Sequence, residues 1–171
     1  MTLLGYWYSL CPFVLSKNNG NSYDFQFVID SWSEFIMEHT NLLQIAVGII
    51  RNPENNQIFI TKRMKHSHLA GYWEFPGGKI EAGESTEQGL FRELQEEIGI
   101  EIDSPNLLKS IDYCYPEKHL QLHFFMVEKW SGQPYGKEGQ VSQWMSVSEL
   151  NAEDFPDANR EIVALIKQQF L

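Results

Sequence analysis

The sequence predicts an α+β or α/β sandwich, because strand-like segments occur in runs that are broken by two helical segments. Apolar residues make up 43% of the 171-residue chain and aromatic residues 13%, which is ample for a packed core. A chain of this length is expected to form one domain, or one domain with an appendage.

The predicted strands are apolar segments bounded by turn-forming residues. LLQIAVGIIR is rich in Ile, Leu and Val, and QIFITKR alternates apolar and polar side chains after the turn NPENN. LLKSIDYCY and HLQLHFFMVEKW are joined by the turn PEK, and the loop GQPYGKEGQ precedes a short strand, VSQWMSV. The predicted strands cover residues 42–51, 57–63, 107–115, 119–130 and 141–147.

Two helices are predicted. The first begins at Ser85, which has capping-box spacing to Gln88, and ends at Gly99, a residue that favours the position after a helix. Its core-facing stripe is Leu90, Leu94 and Ile98, with Phe91 beside them. The second covers residues 157–170, with Ile162, Leu165, Ile166 and Gln169 at helical spacing.

Residues 1–40 differ from the rest and are predicted to be an appendage to a domain over residues 41–171. LLGYWYSLCPFVLS is apolar, but no Lys or Arg precedes it and Pro12 interrupts it. This pattern disfavours a secretory signal, and we expect a cytoplasmic protein. VIDSWSEFIMEH predicts a short helix. Met37 lies just before the domain, so residues 1–36 are either an appendage or an upstream start that the cell does not use.

The overall charge limits the classes of partner. The formal net charge is −10, from 23 acidic and 13 basic side chains. Such a surface repels the phosphate backbone of nucleic acids, and no apolar run approaches the length of a membrane span. Cys11 and Cys114 have no metal-ligand spacing and are expected to be free thiols. A monomer that acts on a small substrate is expected, and that substrate can be anionic if metal ions neutralise the charge locally.

Glu93, Glu96 and Glu97 share one arc of the first predicted helix, about 100° wide. Glu93 and Glu97 are four residues apart, a like-charge spacing that weakens an isolated helix. A solvated face usually mixes Lys among its Glu residues, and this arc has none. The arc therefore predicts a site for Mg²⁺ or Mn²⁺, which prefer hard oxygen ligands. The preceding GGK supplies flexible backbone, so Gly77 could give a carbonyl to the metal and a phosphate chain could approach closely.

The same stretch resembles the nudix box, a motif with nine fixed positions over 23 residues here. Its specificity is far above that of a short glycine motif. The resemblance implies an α/β/α sandwich around a mixed sheet, and it extends over about residues 42–168. The matching residues are Gly78, Glu84, Arg92, Glu93, Leu94, Glu96, Glu97, Gly99 and Ile100.

Within the nudix family, the likeness is to the branch that removes oxidised guanine nucleotides. It implies hydrolysis of 8-oxo-dGTP by attack at the β-phosphorus, with Glu138 as a further metal ligand from outside the helix. Glu93 and Glu138 are the alternatives for the general base. Glu84 and Arg92 are expected to orient the helix and loop through an Arg–carboxylate fork. Taken together, the expected metal ligands are Gly77, Glu93, Glu96, Glu97 and Glu138.

Substrate binding is implied for residues outside the carboxylate cluster as well. Asn159 matches an asparagine that reads the purine edge, although an Asn at a helix start is also a common N-cap. Phe75 matches a pocket position, with core packing as the alternative, and Arg63 matches another, with a surface charge at a strand end as the alternative. Lys118 replaces a family Arg, and it keeps the charge but loses the planar fork. Gly78 and Lys79 are expected beside the phosphates.

Three functions are compatible with these patterns. The first is an enzyme that removes oxidised guanine nucleotides, and the second is a nudix hydrolase for ADP-ribose, a diadenosine polyphosphate or ordinary nucleotides. The third is a non-catalytic nudix-like binding module. The intact box disfavours the third, because a binding module has no need of a charged cluster that costs stability.

Overall fold

The computed structural model describes residues 42–64, 69–115 and 118–171, and the side chains of residues 114, 115 and 118 lie outside that description. The predicted appendage and its short helix therefore lie outside the described residues. The side chain predicted to bind substrate at Lys118 lies outside them as well. Within the described part, no helix is long and apolar enough to cross a membrane.

Nine strands and two α-helices form the described fold. The longer strands have the apolar, β-branched composition that favours a buried pleated surface. The strands are β1 (Leu42–Asn52), β2 (Gln57–Lys62), β3 (Trp73–Glu74), β4 (Gly77–Lys79), β5 (Glu101–Ile102), β6 (Asn106–Tyr115), β7 (Lys118–Val127), β8 (Trp130–Ser131) and β9 (Ser142–Ser146). The helices are α1 (Thr86–Ile98) and α2 (Asp157–Phe170), and short 3₁₀ turns cover Val147–Glu149 and Ala152–Asp154.

The main sheet is mixed. Its strands lie in the order β3-β2-β1-β7-β6, with β4 paired to β1 and β9 paired to β2. Strands β1 and β7 run parallel, and the other pairs are antiparallel. Strands β5 and β8 form a separate two-stranded sheet. The prediction of a mixed sheet is confirmed.

Strand β1 supplies both faces of the core, because successive side chains point to opposite sides of a sheet. Ala46 and Ile50 pack with α1, whereas Val47 and Ile49 pack with α2. One helix thus covers each face, which confirms the predicted α/β/α sandwich. The buried residues of the helices are Leu90, Leu94 and Ile98 in α1 and Ala158, Asn159, Ile162, Val163 and Ile166 in α2.

Helix α1 begins and ends as predicted. Ser85 accepts from the Gln88 backbone N–H, and the Gln88 side chain accepts from the Ser85 N–H, which completes a capping box. Gly99 closes the helix in the left-handed conformation, at φ 73°. Phe91 was predicted beside the core stripe, but its ring is 40% exposed because it lies on the outer side of that stripe.

Other predictions needed correction at element ends. The strand predicted over 119–130 ends at Val127, where its pairing with β1 stops, and Trp130 pairs instead with β5. Residues 77–79, predicted as flexible backbone, form strand β4 on β1. In α2, Gln169 is exposed and Val163 takes the core-facing place.

Candidate active site

The site lies where the second half of α1 crosses strand β4. Gly77 has φ 149°, and a Cβ there would lie 2.2 Å from the Ala46 carbonyl oxygen, so only glycine lets β4 approach β1 this closely. The Gly77 N–H donates to Glu97 Oε2 at 2.8 Å. The glycine strand thereby fixes the position of one carboxylate of the helix.

Glu97 is half-buried and accepts hydrogen bonds from neutral side chains. Gln140 Nε2 lies 3.3 Å from its Oε1, and Thr61 Oγ1 lies 3.5 Å from the same oxygen. Burial is the main cause that raises the pKa of Glu97 to about 7; the negative charges of Glu74 and Glu138 contribute to this rise, and the hydrogen bonds from Gly77 and Gln140 oppose it. A positive ion bound here would therefore offset the negative charge around Glu97.

Arg92 ties the helix to the preceding loop. Its Nε and Nη2 donate to the two oxygens of Glu84 at 2.8 and 2.9 Å, which is the fork expected from the sequence. This pairing holds the pKa of Glu84 low, at about 2. Arg92 also donates to the Lys79 carbonyl at 2.8 Å and to Glu93 Oε1 at 2.7 Å. The residue is therefore well placed to orient Glu84 and Glu93.

Glu93 and Glu96 differ in their surroundings. The Glu93 carboxylate lies against Gly78, where a Cβ would come within 2.3 Å of Oε2. Glu96 is more open, with 61% of its side chain exposed, and it lies 3.3 Å from Arg92 Nη1. Gly78 therefore provides the space that Glu93 occupies.

Glu138 and Glu97 both line a small cavity of about 110 Å³. The loop that carries it is held by the Gln140 side chain, whose Oε1 accepts from the Glu138 N–H at 3.0 Å. The residues that line this cavity are Lys62, Arg63, Met64, Glu74, Glu97, Glu138 and Gln140.

The predicted metal ligands fit a hard divalent cation by the chemistry of their donors. All the side chains among them are carboxylates, and Glu97 is desolvated beside two further negative charges. Among the described residues, no three of these side chains lie close enough together to hold a metal ion as they stand. Glu93 instead pairs with Arg92, and Glu97 accepts from Gly77.

A second cavity of about 180 Å³ lies on the other side of β4. Phe75 is 3% exposed and stacks on Phe155 with ring centroids 5.2 Å apart, so it both packs in the core and lines this cavity. Arg63 pairs with Glu74, and both residues line this cavity and the smaller one. The lining residues are Leu43, Ile45, Val47, Arg63, Leu69, Glu74, Phe75, Gly77, Gly78, Leu120, Leu122, Pro156, Ala158 and Asn159.

Asn159 does not cap α2. The helix begins at Asp157 with Pro156 at its N-cap, and no side chain caps it. Asn159 is the third residue of the helix, is 8% exposed and lines the larger cavity. No hydrogen bond to another described residue holds its amide. The capping alternative is therefore wrong, and Asn159 forms part of the wall of the larger cavity.

Three polar residues at the site were not predicted. Glu74, Gln140 and Thr61 all lie beside Glu97 or between the two cavities. Burial raises the pKa of Glu74, and Arg63 opposes that rise. The only sequence signal for Glu74 was its position just before FPGG, and Gln140 ended the loop that carries Glu138.

A helix that carries several carboxylates packs on a glycine strand, and a largely apolar cavity is lined by the same strand. The model of the NUDIX domain matches residues 46–165. The chain belongs to the nudix hydrolase family, as its sequence predicted. Members of this family generally use divalent metal ions.

Individual relatives show where within the family the chain lies. It is 55% identical over 126 residues to the 8-oxo-dGTP diphosphatase of Escherichia coli K12, covering 74% of this chain and 97% of that protein. The 8-oxo-dGTP diphosphatase of Haemophilus influenzae is 43% identical over 122 residues, covering 71% and 89%. A structure from a study of MutT from Aliivibrio salmonicida and Vibrio cholerae matches with a TM-score of 0.67 and 41% identity, covering 76% of this chain and 100% of that one.

Proposed function

We propose that this protein converts 8-oxo-dGTP, and dGTP more weakly, to the monophosphate and pyrophosphate, with Mg²⁺ as its metal. This reaction removes an oxidised base before a polymerase can insert it. The observation that carries the proposal is the position of Asn159, which is 8% exposed and lines a largely apolar cavity together with the glycines of β4. The identity to two 8-oxo-dGTP diphosphatases supports it. We further propose that the protein acts as a cytoplasmic monomer.

The residues proposed to hold the metal are the carboxylates of α1 and of the loop after it. When bound, Mg²⁺ neutralises charge on phosphoryl oxygens and lowers the pKa of a bound water; Mn²⁺ can serve in the same way. The proposed ligands are Glu93, Glu96, Glu97, Glu138 and the Gly77 carbonyl.

The chain's own groups orient the substrate and the attacking water. In the proposed reaction a water oxygen bonds to the β-phosphorus, and the bridging bond to the α-phosphate oxygen breaks. The water proton passes to a carboxylate, either Glu93 or Glu138, and the nucleoside monophosphate leaves. Arg92 keeps Glu93 in place, and Lys79 and Gly78 lie at the exposed edge of β4, where a phosphate chain can pass.

Base recognition is assigned to the larger cavity. Oxidation of guanine at C8 converts N7 from an acceptor to a donor, and an amide offers both a donor and an acceptor. Asn159 is buried among apolar residues, so a base that leaves its amide unpaired is penalised. Phe75 forms part of the wall, and Arg63 lines both this cavity and the smaller one.

A substrate panel tests the proposal. The panel contains 8-oxo-dGTP, dGTP, CTP, ADP-ribose and a diadenosine polyphosphate, with the phosphate products identified. CTP is included because a CTP pyrophosphohydrolase of E. coli is 33% identical over 124 residues. The highest kcat/KM is expected for 8-oxo-dGTP, with pyrophosphate as product. In heavy-oxygen water the label should enter pyrophosphate, and label in the monophosphate would show attack at the α-phosphorus. A higher kcat/KM for another compound would reject the proposed substrate.

A further inference from the structure

The loop at residues 135–140 closes the C-terminal end of α1. The last carbonyls of a helix have no partner within it. Here the Tyr135 N–H donates to the Ile98 carbonyl at 3.2 Å, and the Lys137 N–H donates to the Glu97 carbonyl at 3.0 Å. Lys137 Nζ donates to the Gln95 carbonyl at 3.1 Å. The loop that carries Glu138 is therefore attached to the helix that carries Glu97.

Gln140 links the two acidic residues through its side-chain amide. Its Nε2 lies 3.2 Å from the Glu97 carbonyl and 3.3 Å from Glu97 Oε1. Its Oε1 accepts from the Glu138 N–H at 3.0 Å. These partners define the orientation of the amide, because only the oxygen accepts from an N–H and only the nitrogen donates to the two Glu97 oxygens.

Gln140 lines the smaller cavity and joins the Glu97 carboxylate to the Glu138 backbone. Glu138 is exposed and lies between Lys137 and Gly139, and Gly139 has φ 88°. Such a glycine allows the loop other conformations once its hydrogen bonds are lost. The Gly139 N–H donates to the Gly136 carbonyl at 3.1 Å, which stabilises the turn itself but not its distance from Glu97.

We infer that Gln140 is a positioning residue for hydrolysis, which holds the Glu138 loop and the Glu97 carboxylate at a fixed separation. This inference rests on the proposed function, because it assigns Gln140 to the same reaction. Gln140 acts through the two carboxylates and need not contact the nucleotide. Its loss is expected to affect turnover and metal binding more than nucleotide binding, since the larger cavity is lined by other residues.

Two variants test the hydrogen bonds that the Gln140 amide donates and accepts. Gln140→Leu keeps the approximate size and removes all three hydrogen bonds. Gln140→Glu keeps the acceptor for the Glu138 N–H but places an oxygen against two Glu97 oxygens. The matched control is Gln143→Leu, because Gln143 is exposed on β9 and lies outside the site.

The readouts are Mn²⁺ affinity of the nucleotide-free protein by electron paramagnetic resonance, then kcat and KM. For Gln140→Leu we expect kcat to fall by at least about tenfold, weaker Mn²⁺ binding, and KM within about twofold of wild type. Gln140→Glu should have a kcat and a Mn²⁺ affinity no higher than those of Gln140→Leu. Gln143→Leu should have the wild-type values of both. Wild-type kcat and Mn²⁺ affinity in both Gln140 variants would overturn the inference, as would a lower melting temperature with kcat unchanged.

A double-mutant cycle with Glu138→Gln provides the second measurement. Because Gln140 acts partly through Glu138, adding Gln140→Leu to Glu138→Gln should lower kcat by a smaller factor than Gln140→Leu does in the wild-type protein. Additive losses would contradict the inference. If wild type prefers a nucleotide other than 8-oxo-dGTP, the proposed function fails, and the same comparison on that nucleotide still decides the role of Gln140. The Mn²⁺ measurement decides it without any substrate.

Discussion

At the scale of single residues, Glu97 carries the clearest conflict between burial and charge. A desolvated carboxylate is unfavourable unless a positive group or several donors compensate it. Its donors are Gly77, Gln140 and Thr61, while the charges that shift its pKa, those of Glu74 and Glu138, are negative. This imbalance makes Glu97 the carboxylate that gains most from a bound cation.

Replacing Glu97 by Gln should weaken metal binding and hydrolysis together. The amide keeps the shape and an acceptor for the Gly77 N–H, but it removes the negative charge. We expect weaker Mg²⁺ or Mn²⁺ binding and a loss of kcat exceeding about tenfold, equivalent to roughly 1.4 kcal/mol. Metal titration and steady-state kinetics measure both quantities. A variant with wild-type metal affinity and wild-type kcat would show that Glu97 is not a metal ligand.

The same substitution should change how stability depends on pH in the metal-free protein. Burial raises the folded-state pKa of Glu97 from 4.5 to about 7, so the folded state holds this proton more tightly than the unfolded state. The free energy of unfolding should therefore fall as pH rises across that window, by at most about 3 kcal/mol. Urea unfolding in a chelator should show a smaller fall for Glu97→Gln, and equal slopes would contradict the assignment.

Replacing Asn159 by Ala should reduce base selectivity. The amide lies 8% exposed at the cavity, and the structure removes helix capping as its role. We expect a higher KM for 8-oxo-dGTP and a smaller preference over dGTP, with kcat less affected because the carboxylates are untouched. Asn55→Ala, in an exposed turn, serves as the control. An unchanged preference would leave base recognition to other residues of the cavity.

At the scale of elements, the length of each strand or helix determined whether the sequence could predict it. Strands β1, β6 and β7 have ten or eleven residues, and both helices have more, so their periodic patterns are visible. Strands β3, β4, β5 and β8 have two or three residues and show no period. They are defined by pairing with distant strands, which a local pattern does not contain.

The same limit applies to the candidate site. The carboxylates of α1 could be predicted because helical spacing places them on one face. Thr61 and Gln140 reach Glu97 from positions 36 and 43 residues away, so only the folded sheet and loop bring them there. Whether Asn159 caps the last helix or reads the purine edge could not be decided from the sequence, because the choice depends on the residue at which α2 begins.

Strand β4 provides an element-scale test through Gly78. An added methyl group would lie 2.3 to 2.7 Å from the Glu93 carboxyl atoms, and that carboxylate is the movable end of a flexible side chain. Gly78→Ala should therefore leave the fold intact but displace Glu93 from its contact with Arg92. We expect kcat to fall by at least about tenfold with a nearly unchanged unfolding transition. Wild-type turnover would show that catalysis does not need Glu93 in this position.

At the scale of the whole molecule, the two cavities are neighbours that share lining residues. Arg63 and Glu74 line the two of them, and strand β4 lies along the larger one. The carboxylate helix packs on one face of the sheet, and the helix that carries Asn159 packs on the other. A nucleotide reaching from one cavity to the other would thus contact residues from both layers.

We propose that residues 1–36 are dispensable for the chemistry of this fold. The NUDIX match starts at residue 46, and the match to the E. coli relative covers 97% of that protein within 126 residues. The predicted metal ligands and substrate-binding residues also all follow residue 41. A chain that begins at Met37 should unfold at the same temperature and hydrolyse 8-oxo-dGTP with the same kcat and KM as the full chain. Thermal unfolding and kinetics on the two proteins, prepared side by side, measure this. Insolubility, a lower unfolding temperature or lost activity would mean that the aromatic segment contributes to the domain's stability, and that the domain boundary lies nearer the N-terminus.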